Sequence, residues 1–150
     1  MPASVRLLRL ALLAILLLGL VGTGVELLLL KHTDGIAQLA PLGLIGLVFL
    51  ALIWYGLAPG TVSTRAFQAT LVACLLSGAV GVVLHYRGNV EWELERMPGV
   101  GGWELFKAAM MGATPSLAPG MMFQIGLVGL LFTYLRPVPG RTRMDPQSDL

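Results

Sequence analysis

Residues 36–57 read IAQLAPLGLIGLVFLALIWYGL and contain no Asp, Glu, Lys or Arg. About 20 mostly apolar helical residues cross a bilayer core of about 30 Å, so this stretch predicts a transmembrane helix. Charge is absent in the same way from residues 10–25, 66–86 and 108–135. The sequence therefore predicts four membrane spans.

The overall composition supports a membrane protein. The 150 residues are 56% hydrophobic and 12% charged, with a mean hydropathy of +0.81. An average soluble domain is about 25% charged, and its helices need a polar face toward water. A formal charge of +2 gives no reason to expect a nucleic-acid partner. The single cysteine, Cys74, lies within an apolar stretch and is expected to be a small packing residue.

We predict an all-α integral membrane protein, an up-down bundle of four transmembrane helices in one domain, residues 1–135. The predicted spans are residues 7–30, 36–57, 66–85 and 119–135, and a polar, disordered tail is predicted for residues 136–150. A short interfacial or re-entrant helix is expected at about residues 103–111, since Trp103, Phe106 and Met110 fall on one helical face. A polar loop is expected before it, where Glu91, Glu93 and Glu95 alternate along the sequence.

The two ends of the chain bear on processing and orientation. Arg6 and Arg9 precede an apolar run longer than a usual signal-peptide core, so we expect an uncleaved first helix.

Positively charged residues favour the cytoplasmic side of a membrane. Placing both termini in the cytoplasm gives that side Arg6, Arg9, Arg65, Arg136, Arg141 and Arg143, and the outer side Lys31, Arg87, Arg96 and Lys107. We predict this orientation, in the cell (inner) membrane.

Small residues recur at helical spacing in the predicted spans. Such stripes let helix backbones approach closely in a bilayer, where van der Waals packing drives much of the association. We expect spans one and three to present these faces to partner helices and to pack against each other. Ordinary glycine enrichment of membrane helices is the alternative explanation. The residues are Gly19 and Gly22 in span one, Ala69, Ala73, Ser77 and Gly81 in span three, and Gly126 and Gly129 in span four.

The candidate site is a group of three ionisable residues at the outer ends of spans one and three. Glu26 lies one turn inside the end of span one, His32 follows that span, and His85 ends span three. Imidazoles beside a carboxylate can bind a divalent metal, and two imidazoles can ligate haem iron. A structural contact from Glu26 to either histidine is the simpler expectation. Copper is a further alternative, with thioether ligands from Met97, Met110, Met111, Met121 and Met122.

Function is predicted largely by elimination. No paired carboxylates, nucleophile–base arrangement, phosphate-binding glycine loop or metal-ligand spacing occurs in the sequence, so we predict neither an enzyme nor a required cofactor. The favoured function is an accessory, anchoring or assembly subunit of a larger membrane complex. Its partners would be the lipid bilayer and other membrane subunits, contacted through residues 91–111. The alternatives are a haem- or metal-binding protein using His32 and His85, and a small-solute transporter.

Overall fold

The structure, a computed structural model, describes residues 2–135. These residues form five α-helices joined by short turns, and no strand occurs among them. The predicted disordered tail, residues 136–150, lies outside the described residues. The helices are α1 (Ala3–Leu29), α2 (Ile36–Leu57), α3 (Thr61–Arg96), α4 (Gly102–Met110) and α5 (Gly120–Tyr134).

Three of these helices, α1, α2 and α3, are long and apolar enough to cross a membrane. At most 22% of the apolar window of each helix is buried inside the molecule, as expected for segments surrounded by lipid. Helix α5 is equally apolar but has 15 residues, a length of about 22 Å. The chain is thus an all-helical protein with three candidate membrane spans and one shorter apolar helix.

Helix α3 is the centre of the bundle and packs against α2, α4 and α5. It runs antiparallel to α5, with Gly81 beside Pro119 at one end and Gln68 bonded to Thr133 at the other. The buried face of α3 repeats every three or four residues from Ser63 to Gly78, and buried residues on it recur at Asn89 and Glu93. It comprises Ser63, Phe67, Leu71, Cys74, Gly78, Asn89 and Glu93.

Helix α1 packs mainly against α5 and, to a lesser extent, α2. The prediction that α1 and α3 pack against each other is therefore wrong, although Gly19 and Gly81 each face a partner helix. The small face of α3 contacts α5, because Gly78 lies against the backbone of Phe123 and Pro119. On the α1 side, Gly19 lies beside Ile125 of α5. Helix α5 thus separates α1 from α3 over much of the bundle.

The small residues singled out in the sequence have different environments. Ala69 is exposed, while Ala73 and Ser77 are half-buried. The closest approach on α3 instead involves Gly78, next to the predicted stripe. Gly22 has no protein atom within 4 Å of where a Cβ would stand, whereas such a Cβ would collide with side chains or backbone at Gly81, Gly126 and Gly129.

Helix α3 is also much longer than the predicted span of residues 66–85. It continues to Arg96, so the polar segment expected to be a loop is mostly helical. At 1.5 Å per residue its 36 residues span about 54 Å, well beyond a bilayer core of about 30 Å. Its last eleven residues form a rod of roughly 16 Å on which α4 packs.

Candidate functional site

The turn after α1 fixes the position of His32. Lys31 adopts a left-handed conformation with φ of 50°, which is uncommon for a residue with a side chain. The His32 N–H donates to the Leu27 carbonyl at 2.9 Å, and the Lys31 N–H donates to the Leu28 carbonyl at 3.1 Å. This pair of bonds is the Schellman ending of a helix. It holds the half-buried His32 directly above the end of α1.

The structure brings His32 and His85 together, with 6.4 Å between their ring centroids. His85 Nδ1 is 3.1 Å from the carbonyl oxygen of Pro115, which connects α3 to the segment before α5. Within residues 2–135, Glu26 has no hydrogen bond or ion pair to either histidine. The predicted Glu26–histidine contact is therefore absent, and His85 has a backbone partner instead.

A complete metal site is not assembled around the two histidines. Among the described residues, no group of three or more His, Cys, Asp or Glu side chains could hold a metal ion. The methionines lie in different environments, since Met122 is buried in the core while Met97 and Met111 are exposed. The arrangement offers two imidazoles and no third ligand of these types.

A buried amide, Asn89, joins α3 to the segment that leads into α5. Its Nδ2 group donates to the Ala109 carbonyl at 2.9 Å, the Thr114 carbonyl at 2.6 Å and Ser116 Oγ at 3.0 Å. Its Oδ1 accepts the Thr114 N–H at 3.1 Å. Asn89 is 3% exposed, and Gly112 lies so close that a Cβ there would collide with the amide. Sequence reasoning missed this residue.

The end of α3 and α4 together form a unit that we call the α3–α4 platform (residues 86–112). Its aromatic side chains contact one another, since the Trp103 and Phe106 rings stack at 5.0 Å and Tyr86 lies 6.0 Å from Phe106. Trp92 is covered by the Arg96 guanidinium at 4.4 Å. Trp92, Trp103 and Phe106 are nevertheless exposed. The platform thus presents apolar aromatic surface beside charged groups.

A groove of about 360 Å³ opens between α1 and α5. We call it the α1–α5 groove (residues 15–26 of α1 and 121–128 of α5). Gly19, Gly22 and Glu26 line it along the face of α1 that the sequence indicated. Thr23 and Gln124 also line it, and the Thr23 hydroxyl is a buried group with no hydrogen-bond partner among the described residues.

A further polar cluster lies at the opposite end of the bundle. Arg9 donates to the Tyr55 hydroxyl at 3.3 Å and its guanidinium lies 4.8 Å from the centre of the Phe132 ring. Tyr55 is buried and packs on Phe67, with 5.4 Å between ring centroids. The contacts tie together α1, α2, α3 and α5, and the Arg9 Nε atom is buried without a hydrogen-bond partner among the described residues.

Comparison of the chain with protein-family models, curated proteins and solved structures finds no match. The class of this protein is therefore defined by the sequence and structure of the chain itself. It is an all-helical protein with three helices that can span a membrane.

Proposed function

We propose that this chain is a multi-pass membrane protein that serves as an accessory, anchoring or assembly subunit of a larger membrane complex, without catalytic activity of its own. The observation that carries the proposal is the α3–α4 platform. A helix that continues well beyond the apolar segment and is bonded to a second helix through a buried amide is a rigid, specific surface. Exposed Trp, Phe and Met side chains are the residues that interfaces favour.

The proposal includes a fourth crossing by α5. Its 15 residues are short for a bilayer core, but a short span can be accommodated by thinning of the bilayer or by packing against other helices. Helix α5 packs antiparallel along α3, a candidate span, from Gly81 to Gln68. A helix inserted in this way between α1 and α3 shares their lipid environment.

Four crossings put both termini on one side, and the distribution of Lys and Arg favours the cytoplasm of a cell (inner) membrane. The α3–α4 platform is then on the outer side. There it would contact an extramembrane part of a partner subunit, with aromatic anchors such as Trp103 at the centre of the contact.

Site-specific photocrosslinking tests this function. A photoreactive amino acid at Trp103 is expected to capture one defined membrane protein in intact cells, and the same amino acid at Tyr134, which is exposed at the other end, is not. Phe106→Ala in the Trp103 variant should reduce the crosslink. A homogeneous homo-oligomer in mild detergent, with no crosslink from position 103, would contradict the proposal.

A second candidate function, binding of haem or a metal, is favoured by one observation, the proximity of His32 and His85. A hydrogen bond from Nδ1 of His85 to the Pro115 carbonyl would leave its Nε2 as the ligand atom, which is how ligating histidines are commonly oriented. A visible spectrum and a metal analysis of the purified protein test it. A Soret band or stoichiometric metal that disappears in His85→Ala would support it, and absence of both would remove it.

A further inference from the structure

The α1–α5 groove has a polar end and an apolar end. Thr23, Glu26 and Gln124 lie toward the outer ends of their helices, close to the end of α1 and the start of α5. Gly19 and the apolar side chains of both helices line the part nearer the middle of the bundle. The groove thus has the same polarity profile as a lipid, with a head at the membrane surface and a chain toward the midplane.

Two of its polar groups have no partner in the described part of the chain. The Thr23 side chain is 8% exposed and its hydroxyl makes no hydrogen bond. Glu26 is the one ionisable residue of the groove and has no ion pair. The Glu26 side chain is exposed about one turn from the end of α1, so its carboxylate is open to a ligand at the membrane surface, and a buried hydroxyl without a partner is costly. Their chemistry favours a ligand that is cationic and donates hydrogen bonds.

The size of the groove limits how much of a ligand can enter it. A helix with its side chains is about 10–12 Å across, so 360 Å³ holds less than one turn of it. The same volume lies in the range of small-molecule sites. Gly22 has no protein atom within 4 Å of its Cβ position, so the space beside it is open to a chain.

We propose that the α1–α5 groove binds one aminophospholipid. The primary ammonium of the headgroup, with three N–H donors, pairs with the Glu26 carboxylate and donates to the side-chain oxygen of Gln124. One acyl chain lies over Gly22, where the absence of a side chain leaves room. A choline headgroup has no N–H donor and a glycerol headgroup has no positive charge, so both should bind less well. This inference is independent of the accessory-subunit function.

Native mass spectrometry of the delipidated protein tests the proposal. Phosphatidylethanolamine, phosphatidylcholine and phosphatidylglycerol with identical chains are titrated separately. We expect one molecule of phosphatidylethanolamine to bind about 10-fold more tightly than either of the others, equivalent to about 1.4 kcal/mol. Equal affinity for the three lipids would overturn the proposal.

Variants assign the binding to the groove. Glu26→Gln should reduce the preference for phosphatidylethanolamine to less than about 2-fold, and Gly22→Leu should remove the bound lipid by filling the groove. Gly43→Leu is the matched control, because Gly43 on α2 is exposed, has an equally open Cβ position and lies outside the groove. Thermal unfolding verifies that all variants fold. Retention of the lipid by folded Gly22→Leu, or its loss from Gly43→Leu, would overturn the assignment.

Discussion

At the scale of single residues, Asn89 has the greatest structural effect for its size. One amide satisfies two backbone carbonyls, one hydroxyl and one backbone N–H in the segment between α4 and α5. Ser116 completes the cluster by donating to the Ala109 carbonyl at 3.0 Å. Buried polar groups need such partners, since each one left without a partner costs about 1–3 kcal/mol. The position of α4 therefore depends on this residue.

Replacing Asn89 with Asp should loosen the platform. The change removes the Nδ2 donor and leaves a carboxylate oxygen facing the carbonyls of Ala109 and Thr114, at a cost of at least about 1–3 kcal/mol. We expect amide hydrogen exchange in residues 102–116 to accelerate about 10-fold or more, measured by mass spectrometry in detergent. The control is Glu91→Gln, which replaces a carboxylate with an amide at an exposed position of the same helix. Unchanged exchange in Asn89→Asp would show that α4 is held by other contacts.

Substitutions at two glycines of α3 distinguish the effect of close helix packing on stability from the effect of helix propensity. A Cβ on Gly78 would stand 2.5 Å from the Phe123 nitrogen and 2.9 Å from the Pro119 carbonyl oxygen, whereas a Cβ on Gly88 meets nothing within 4 Å. Gly78→Ala should destabilise the protein by about 1–3 kcal/mol through overpacking. Gly88→Ala should be neutral or stabilising by up to about 1 kcal/mol. Equal thermal stability of the two variants in detergent would contradict the close contact of α3 with α5.

The sequence predicts which residues form the candidate sites better than it predicts what those residues contact. The spacing of Gly19, Gly22 and Glu26 predicts that they share one face of α1. In the structure these residues line the α1–α5 groove. The proximity of His32 to His85 follows from both lying toward the same end of the bundle, near the carboxyl ends of the parallel helices α1 and α3. Asn89 could have been found by extending the buried face of α3 one turn beyond His85. The Pro115 carbonyl that contacts His85 could not, because its position depends on the path of an irregular segment.

At the scale of elements, the main correction concerns the end of α3. The alternating glutamates predict a loop after residue 85, but the chain stays helical to Arg96. The physical reason is tertiary, since the same face that buries Phe67 and Cys74 also buries Asn89 and Glu93. Packing against α4 stabilises a segment whose local sequence gives only a weak signal.

Cysteine labelling can locate the point where α3 leaves the membrane. In a Cys74→Ala background, Glu95→Cys and Val80→Cys each place a thiol at a position that is exposed in the structure. A membrane-impermeant maleimide added to intact cells should label position 95 and leave position 80 unlabelled, since lipid covers the latter. Equal labelling of both positions would contradict a bilayer around the middle of α3.

At the scale of the whole molecule, the sequence predicts the helices but not their neighbours. Charge-free stretches mark the three candidate spans α1, α2 and α3 and the shorter apolar helix α5, and the composition of a span is constrained directly by the bilayer. The pairing of α5 with both α1 and α3 depends on which glycine faces which bulky side chain, such as Gly19 against Ile125. Small residues occur on every helix, so their spacing alone favoured the wrong pair.

Disulfide trapping tests the arrangement of helices. With Cys74 replaced by Ala, the pair Gly19→Cys and Ile125→Cys should form a disulfide on mild oxidation, because a Cβ at Gly19 lies 3.2 Å from the Ile125 side chain. The pair Gly19→Cys and Ser77→Cys represents the predicted α1–α3 contact and should remain reduced. Trapping of the second pair in preference to the first would contradict the position of α5 between α1 and α3.

The central claim is a four-span bundle that presents the α3–α4 platform outside the cell membrane, and the crossing of α5 is its most direct test. One cysteine replaces Glu104 on α4 and, in a separate variant, another is appended after Leu150, both in a Cys74→Ala background. An impermeant maleimide applied to intact cells should label the thiol at position 104, and should label the appended thiol only after the cells are permeabilised. Labelling of both thiols in intact cells would show that α5 does not cross and would contradict the account.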